Sequence, residues 1–257
     1  MQETGFDSAA PSYDADFSDT PFAGVLRDRF YEVAAGCFPK TGHLLDIGCG
    51  TGVDASFFSG AGYRVSGLDA SAAMLEVAAA RAVSGADFRR YSLPDGLPFA
   101  DGTFDGVYSH LGAFNCIPVE KHPVAELSRV LKPGGMLVLS LMNKVYLLEI
   151  LTWLMLLSPR RAMRRFGREP VIVPAGEADI PVWYPRKKEI FGIYAPGFVL
   201  AGYQAQAVMI PPAVLTNRFS PDSVLLRLLT KADRVGSRLP VLRMLGDHTL
   251  FVFRKKG

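Results

Sequence analysis

The sequence predicts a doubly wound α/β fold, in which helices cover both faces of a parallel sheet. Between about residues 43 and 142, short apolar runs alternate with helical patterns, as in repeated βα units. The runs are apolar throughout, which is typical of strands that are covered on both faces. The runs that predict these strands are His43–Ile47, Tyr63–Leu68, Phe104–Ser109 and Met136–Leu141.

Helix signals lie before and between these strands. Thr20 followed by Pro21 begins a first helix, whose apolar face we expect to pack on the sheet. Ser71 caps a second helix. A third runs from Val124 to Leu131 and stops at the Lys-Pro-Gly-Gly sequence of 132–135.

After Asn143 the pattern changes. We predict an apolar helix, a basic stretch, a proline-rich passage, a strand, a helix and a last strand. In chain order these segments are Val145–Leu157, Arg160–Arg168, the residues up to Pro185, Phe198–Ile210, Pro221–Val235 and His248–Phe253.

The composition excludes several classes of protein. The 257 residues are 49% hydrophobic and contain three cysteines and no short repeat, which excludes disorder, collagen and a disulfide-stapled mini-protein. The cysteines, Cys37, Cys49 and Cys116, suit a reducing cytoplasm, and their spacing gives no metal site. A dispersed net charge of +3 gives no expectation of a nucleic-acid partner.

Targeting signals are not expected. Met1–Pro21 lacks the basic end and the apolar stretch of a secretory signal, so we expect the protein to stay inside the cell. The apolar run Val145–Leu157 is interrupted by Glu149 and Thr152. As a helix it would span only ~20 Å, which is too short to cross a bilayer.

A glycine-rich loop follows the first strand. The chain reads Asp46-Ile47-Gly48-Cys49-Gly50-Thr51-Gly52, with glycine at every second position of the loop. Such a loop lets the backbone approach a ligand and directs N–H groups at it near a helix start. The alternative is a plain tight turn, which would not require three alternate glycines.

A carboxylate ends the second strand. Asp69 follows Val65-Ser66-Gly67-Leu68 and precedes the capped helix. Ligands of open α/β sheets bind beyond the carboxyl ends of the strands, which brings Asp69 beside the glycine loop, where it can accept two ribose hydroxyls. The alternative role is that of a helix-capping carboxylate.

Motifs in a fixed order, over about residues 40–142, resemble those of the class I S-adenosylmethionine-dependent methyltransferase family. They are Asp46 to Gly52, Asp69-Ala70-Ser71 with Met74, Leu97-Pro98-Phe99 followed by Gly102-Thr103-Phe104-Asp105, and Leu127 to Gly135. The resemblance implies a Rossmann-like, mostly parallel seven-stranded sheet with a helical lid. It also implies methyl transfer, with S-adenosylmethionine as the cofactor.

The resemblance further implies the residues that bind the cofactor. Asp46 lies near its ammonium group, the loop lies against its amino-acid part, Asp69 holds the ribose and Met74 packs on the adenine. Tyr13-Asp14 resembles the segment that closes over the cofactor in relatives. The full set of candidates is Tyr13, Asp46, Gly48, Cys49, Gly50, Thr51, Gly52, Asp69, Ala70, Met74, Leu93 and Ser109.

Leu93 enters this set because the chain departs from the family there. Relatives often place Asp-Ala before Leu-Pro-Phe to bind the adenine amino group, whereas residues 91–96 read Tyr-Ser-Leu-Pro-Asp-Gly. The backbone of Leu93, or Ser92, is the candidate replacement. A nicotinamide dehydrogenase is the alternative on the same fold, but its G-x-G-x-x-G fingerprint is not matched, because Val53 follows G-x-G-x-G.

The chemistry requires little beyond alignment. Methyl transfer from a sulfonium is an in-line displacement, which alignment and exclusion of water can accelerate. Oxygen and carbon acceptors generally need a proton removed, and His110 is the candidate base, with a hydrogen-bonded structural histidine as the alternative. Leu111, Gly112 and Asn115 are candidates for the floor of the site; Gly112 could instead form a turn, and Asn115 a cap.

The segment after Asn143 is expected to select the substrate. Its helix has an apolar face, followed by five arginines at 160, 161, 164, 165 and 168. One interpretation is a lid that covers the acceptor pocket, with solvated arginines; the other is an interfacial helix, with arginines at anionic headgroups and Trp153 at the boundary. Trp183 and Tyr184 are candidates for stacking on the acceptor, or for the core.

The sequence therefore predicts a single methyltransferase domain that acts on a small-molecule or lipid-like acceptor in the cytoplasm, with possible weak peripheral membrane contact. The competing hypothesis is a cofactor-binding scaffold without turnover. The expected parts are an N-terminal cap helix, a cofactor-binding core, a lid, and closing strands with an inserted helix. Their bounds are 1–40, 41–142, 143–196 and 197–257 within 1–257. The sequence predicts no oligomeric state.

Overall fold

The computed structural model describes residues 5–92, 96–220 and 222–257. Its main feature is a seven-stranded sheet in the order β3-β2-β1-β4-β5-β9-β8, beside which β6 and β7 form a separate hairpin. The strands are β1 (His43–Ile47), β2 (Arg64–Asp69), β3 (Ala86–Arg90), β4 (Phe104–Ser109), β5 (Leu131–Met142), β6 (Val171–Ala175), β7 (Ala178–Val182), β8 (Phe198–Gln206) and β9 (His248–Lys255).

Helices cover the sheet and follow the predicted capping. Thr20 Oγ1 accepts the Ala23 N–H at the start of α1, and Ser71 Oγ accepts the Met74 N–H at the start of α3. The helices are α1 (Pro21–Cys37), α2 (Val53–Gly60), α3 (Ala72–Ala80), α4 (Val124–Val130), α5 (Leu147–Met155), α6 (Pro159–Ala162), α7 (Lys187–Tyr194), α8 (Ala213–Thr216) and α9 (Val224–Gly236), with a π-helical turn at Asp14–Ser18.

The topology confirms the predicted fold class. Strands β1 to β5 are parallel, and β9 and β8 close the sheet antiparallel. The chain winds from β1 outward to β3 and then returns to β4 on the other side of β1. The carboxyl ends of β1 and β4 therefore meet at the point where the winding changes direction, which is where such sheets bind ligands.

Two buried clusters occupy the two faces of the sheet. On one face, α4 and α7 pack on β5 and β9, with Leu127 and Tyr194 against Phe253. On the other, α1 and α2 pack on β1 and β4, with Phe30 and Phe58 against Tyr108. The sheet is thus covered on both sides, as its apolar strands predict.

The structure adds three strands that the apolar runs do not predict. β3 ends in the exposed Arg89 and Arg90, so this edge strand lacks a continuous apolar run. β6 and β7 form a hairpin inside the proline-rich passage. The strand expected from Met136 begins already at Leu131, because the Lys-Pro-Gly-Gly sequence leads directly from α4 into β5, beside an irregular register with β4.

The lid helix differs from the expectation. Leu151, Leu154 and Leu157 lie at the surface instead of in the core or over a pocket, whereas Glu149, which interrupts the apolar run, is buried. Of the five arginines, Arg165 is buried as well, so the expectation that all of them are solvated is wrong for this residue. In the part of the chain that the structure describes, no helix is long and apolar enough to cross a membrane.

Candidate active site

A cavity of about 1050 Å³ opens at the carboxyl edge of the parallel strands. Four parts of the chain enclose it: the glycine loop after β1, the N-terminal segment before α1, the β6–β7 hairpin, and the lid region from α5 to Arg165. Apolar side chains from all four face it, including Phe17, Trp153, Val173 and Ile180. The cavity is therefore a mostly apolar space in contact with the predicted cofactor loop.

The glycine loop turns sharply into α2. Gly48 and Gly50 have φ values of +75° and +51°, a region that favours glycine. A Cβ on Gly48 would lie 2.3 Å from the Cβ of Ala113, so no side chain fits there. A Cβ on Gly50 would meet nothing within 4 Å and would enter the cavity that Gly50 lines. The loop thus presents bare backbone to a ligand.

Asp69 lies beside this loop at the end of β2. Its Oδ2 accepts the Gly50 N–H at 2.8 Å and its Oδ1 accepts the Ser71 N–H at 2.9 Å. Burial raises the pKa of Asp69, and these backbone hydrogen bonds oppose that rise. Asp69 lines the cavity together with Ala70 and the buried Met74.

Asp46 is buried beneath the loop and does not line the cavity. Its Oδ2 has no hydrogen-bond partner among the described residues. Burial raises the pKa of Asp46 well above its usual range, and the negative charge of Asp54 raises it further. An unpaired buried oxygen of this kind is costly and can be satisfied by a hydrogen-bond donor or a cation.

The N-terminal segment is tied to the core across the cavity. Thr51 Oγ1 donates to Asp14 Oδ1 at 2.6 Å, and Arg81 forms an ion pair with the same carboxylate. Ser71 Oγ donates to Asp7 Oδ1 at 2.6 Å. These contacts hold the half-buried Tyr13 at the cavity wall, and desolvation raises the pKa of its hydroxyl.

His110 follows β4 and lines the cavity. It is buried and stacks on Phe30, with ring centroids 4.0 Å apart. Its Nδ1 lies 2.9 Å from Asp54 Oδ2, while its Nε2 has no partner in the described part of the chain. Burial lowers the pKa of His110, which favours the neutral ring. A carboxylate at Nδ1 places the proton there and leaves a lone pair on Nε2.

Asp54 was not predicted from the sequence, yet it connects several cavity residues. Arg27 Nε donates to its Oδ1 at 3.2 Å and the Tyr31 hydroxyl donates to the same oxygen at 2.6 Å. Burial alone would raise the pKa of Asp54, but His110 and Arg27 outweigh burial and lower it to about 2. Its signal in the sequence is its place in the first turn of the helix that follows the glycine loop.

A second charged cluster lies at the lid side of the cavity. Arg165 Nη2 lies 2.6 Å from Asp247 Oδ1, and its Nε lies 2.5 Å from Glu149 Oε2. Arg164 pairs with the other oxygen of Glu149, and His248 Nδ1 lies 2.8 Å from Asp247 Oδ2. All five residues line the cavity.

The remaining sequence candidates separate into two groups. Cys49, Thr51, Leu111 and Tyr184 line the cavity, as do Gly112, which also begins a turn, and Ser92. Gly52, Ser109, Asn115 and Trp183 do not line it. Leu93 lies outside the described residues.

Two of the candidates away from the cavity have structural partners. Ser109 Oγ donates to the Ile47 carbonyl at 2.7 Å. The amide of Asn115 donates to the Trp183 carbonyl at 2.7 Å and accepts the Met142 N–H at 2.9 Å. Both residues connect neighbouring chain segments beneath the cavity.

Comparison with known proteins identifies the fold's relatives. Residues 44–135 match a family model described as a methyltransferase domain. Solved S-adenosylmethionine-dependent methyltransferases superpose on nearly the whole chain. One from Methanosarcina mazei has a TM-score of 0.59, with 18% identity, and covers 88% of this chain and 98% of its own. Over residues 44–135 the chain thus matches a methyltransferase family, and its fold is that of solved S-adenosylmethionine-dependent methyltransferases. The predicted resemblance and fold class are confirmed, and the predicted cofactor is that of these structural neighbours.

The curated relatives that this chain resembles over part of its length are named for different acceptors. A demethylmenaquinone methyltransferase from Renibacterium salmoninarum is 37% identical over 137 residues, which are 52% of this chain and 56% of that protein. A malonyl-[acyl-carrier protein] O-methyltransferase from Erwinia pyrifoliae is 35% identical over 134 residues, 51% of this chain and 49% of that one. The chain thus spans about half the length of the curated relatives it matches.

One further structure limits what the fold implies. The [4+2]-cyclase SpnF superposes on this chain with a TM-score of 0.53 and 19% identity, covering 89% of this chain and 80% of its own. The fold therefore also carries chemistry other than methyl transfer.

Proposed function

We propose that this protein transfers a methyl group from S-adenosylmethionine to a small, uncharged or lipid-like acceptor. One observation carries the proposal: a single, mostly apolar cavity joins the glycine loop and Asp69 to a buried histidine with a free ring nitrogen. A site that binds the donor, excludes water and offers a base has what an in-line methyl transfer needs.

The donor-binding residues fit the cofactor. The backbone at Gly48 and Gly50 receives the amino-acid part, and the unpaired oxygen of Asp46 suits its ammonium, directly or through water. Asp69 accepts the ribose hydroxyls, and Met74 packs on the adenine. When bound, the cofactor supplies an electrophilic methyl group on a positively charged sulfur.

His110 removes a proton from the acceptor. The Asp54 carboxylate accepts the Nδ1–H and orients the ring at the cavity wall, which leaves the Nε2 lone pair for the acceptor. Because burial lowers the pKa of His110, the ring is neutral near pH 7 and ready to accept a proton. An acceptor hydroxyl, or a carbon made acidic by neighbouring oxygens, fits this base.

The charges around the cavity support an uncharged acceptor. Arg27 is paired with Asp54, and Arg164 and Arg165 are paired with Glu149 and Asp247. None of these arginines is left to neutralise an anionic substrate. The apolar walls and the demethylmenaquinone methyltransferase relative are consistent with an apolar acceptor body. Leu111 and Tyr184 are the predicted acceptor contacts that line the cavity.

Two measurements on the intact protein test this function. Calorimetry should detect binding of S-adenosylhomocysteine, and labelled methyl groups should pass from the donor into the organic fraction of a cell extract. Binding of the nucleoside without transfer into any fraction would favour the competing scaffold function, or a rearrangement such as that of the cyclase that shares the fold. Absence of nucleoside binding would contradict both.

We further propose that the enzyme works in the cytoplasm and contacts membranes through α5. The side chains of Leu154, Met155 and Leu157 are 48%, 82% and 89% exposed, and Arg160 and Arg161 follow them at the surface. Exposed apolar and basic side chains together suit an anionic lipid surface. The three cysteines are free thiols, which supports a reducing compartment.

Vesicle co-sedimentation tests this contact. The protein should pellet with phosphatidylserine-containing vesicles at low salt, and the double variant Leu154→Ser/Leu157→Ser should pellet several-fold less. Val199 is also exposed, on β8, and Val199→Ser serves as the control that should pellet like the unaltered protein. Equal loss in both variants, or no pelleting at all, would contradict the contact.

A further inference from the structure

A second buried imidazole faces the same cavity as His110. His248 is the first residue of β9, and it pairs in register with Met142 at the end of β5 and with Gln206 at the end of β8. Because β9 is antiparallel to β5, its first residue lies at the carboxyl edge of the parallel strands. The last strand thus brings a histidine to the edge at which the cavity opens.

The ring of His248 has a close polar neighbour, which is the Asp247 carboxylate. It is 4% exposed, and its Nδ1 lies 2.8 Å from Asp247 Oδ2. Within the described residues, neither ring nitrogen forms a hydrogen bond of good geometry. Buried polar atoms are nearly always hydrogen-bonded in folded proteins, so an unsatisfied ring at a cavity wall indicates a ligand or water.

The surrounding cluster is built to keep this ring in place. Arg165 holds Asp247 through its side chain, and Asn143 donates its backbone N–H to the Asp247 carbonyl at 2.7 Å. Burial alone would raise the pKa of Asp247, but Arg165 and His248 outweigh it and hold the pKa well below its usual range. Asp247 is therefore an ionised carboxylate 2.8 Å from His248 Nδ1.

Both imidazoles line the same cavity. Burial is the largest cause of the lowered pKa of His110; Asp54 opposes it, and Arg27 and His248 add to it. Each ring has an Nε2 without a hydrogen-bond partner among the described residues. Two buried imidazoles with an unsatisfied nitrogen thus line one cavity.

We propose that His248 binds the acceptor: its ring hydrogen-bonds one oxygen of the substrate, while His110 faces the hydroxyl that is methylated. This inference rests on the proposed methyl transfer and narrows its substrate class. The acceptor is an apolar molecule with two oxygen functions, one at the reacting position and one that His248 recognises. Arg165, which pairs with Asp247 beside His248, is also paired with Glu149, and this disfavours an acidic group as the second function.

The reaction that this arrangement supports balances without further reactants. His110 Nε2 takes the proton of the acceptor hydroxyl, and the oxygen forms a bond to the methyl carbon as the carbon–sulfur bond breaks. The electron pair of that bond stays on sulfur, which becomes an uncharged thioether, and His110 later releases the proton to water. His248 exchanges no atoms and acts only by hydrogen bonding.

Two naphthols of nearly equal size test the subsite on the full chain saturated with S-adenosylhomocysteine. 1,4-Dihydroxynaphthalene, kept reduced, carries two oxygens, and 1-naphthol carries one. The unaltered protein should bind the diol about fivefold more tightly, the effect of one added hydrogen bond. His248→Gln should lose most of this preference. His43 lies at the opposite edge of the sheet, and His43→Gln should retain it.

A second measurement does not depend on whether the variant folds. The chain has four histidines, so ¹⁵N-histidine spectra of the unaltered protein are simple to assign. The His248 ring signals should shift with the diol and remain in place with 1-naphthol. Equal affinity for the two compounds, binding of neither, or unmoved His248 signals would overturn the subsite. Failure to bind S-adenosylhomocysteine would instead contradict the proposed function. Calorimetry measures that binding independently of the naphthol experiment.

Discussion

The cavity has two halves that differ in how the chain builds them. The half that we propose for the donor is formed by residues 48–51 and by Asp69 and Met74, which lie within one short stretch of sequence. The acceptor half draws its polar side chains from the lid and the last strand, such as Glu149, Arg165 and His248. One half relies on local backbone geometry, the other on long-range ion pairs. Substitutions in the two halves should therefore change different measured quantities.

The largest effect is expected in the acceptor half, from Arg165→Met. This change leaves Glu149 and Asp247 buried without their shared cation, which costs about 3–5 kcal/mol of unfolding free energy. Urea unfolding measures the loss. Arg164→Met is the matched control, because Arg164 is partly exposed and Glu149 keeps Arg165; its cost should stay below about 1 kcal/mol. Equal costs would mean that the cluster does not hold the lid side.

His110→Gln probes the boundary between the halves. It removes the base, and turnover should fall about 10²- to 10³-fold while affinity for S-adenosylhomocysteine stays unchanged. His43→Gln, at the other edge of the sheet, should leave turnover intact. A His110 variant with nearly full turnover would show that alignment alone suffices.

The pH profile sharpens the same assignment. A base works only when unprotonated, and burial lowers the pKa of His110, so turnover should be level near neutrality and fall only in acid below the usual histidine range. The titratable groups that influence the ring are Asp54 from α2, Arg27 from α1 and His248 from β9. A fall in turnover that begins already above pH 7 would contradict a neutral, buried base.

Asp69→Asn tests the donor half directly. Hydrogen bonds to a carboxylate contribute about 1.5–3 kcal/mol each, and the loss of charge at the ribose should weaken nucleoside binding about 100-fold. Calorimetry measures it, and urea unfolding should show a loss of about 1–3 kcal/mol, because the new amide group can accept only one of the two backbone N–H groups that Asp69 accepts. Asp87 on the neighbouring β3 points to Ser66, outside the cavity, and Asp87→Asn should bind the nucleoside normally. Undiminished binding in the Asp69 variant would remove this residue from the donor site.

The two halves also differ in how well the sequence predicts them. The donor half consists of contiguous motifs, so Gly48, Gly50, Asp69 and Met74 were all predicted and all line the cavity. The glycine spacing and the acid at the end of a strand can be recognised from neighbouring residues alone, because each depends on the backbone at its own position. The sequence does not predict a site role for Asp54, because an acid in the first turn of a helix ordinarily stabilises the helix N-terminus.

The acceptor half depends on pairs that are far apart in the chain. Arg165 and Asp247 are 82 positions apart, and no local pattern connects them. Trp183 and Asn115 have side chains that suit an acceptor, but neither residue lines the cavity. The Asn115 side chain donates to the Trp183 carbonyl, and the Trp183 N–H donates to the Asn115 carbonyl. Residue type predicts what a side chain can do, whereas its place depends on tertiary packing. The hairpin that completes the cavity wall carries Pro174 and Pro181, which argue locally against strands.

The smallest effect is expected from Gly50→Ala, which tests whether a new methyl group strains the backbone only or also obstructs nucleoside binding. Gly50→Ala places a Cβ in the open cavity and imposes a positive φ that costs about 1–2 kcal/mol of stability. Gly134 has a similar positive φ and equally open surroundings, but it lies outside the cavity. Gly134→Ala should therefore lose similar stability in urea while only Gly50→Ala binds the nucleoside about tenfold more weakly. If both variants bind it equally, the backbone at Gly50 does not touch the donor.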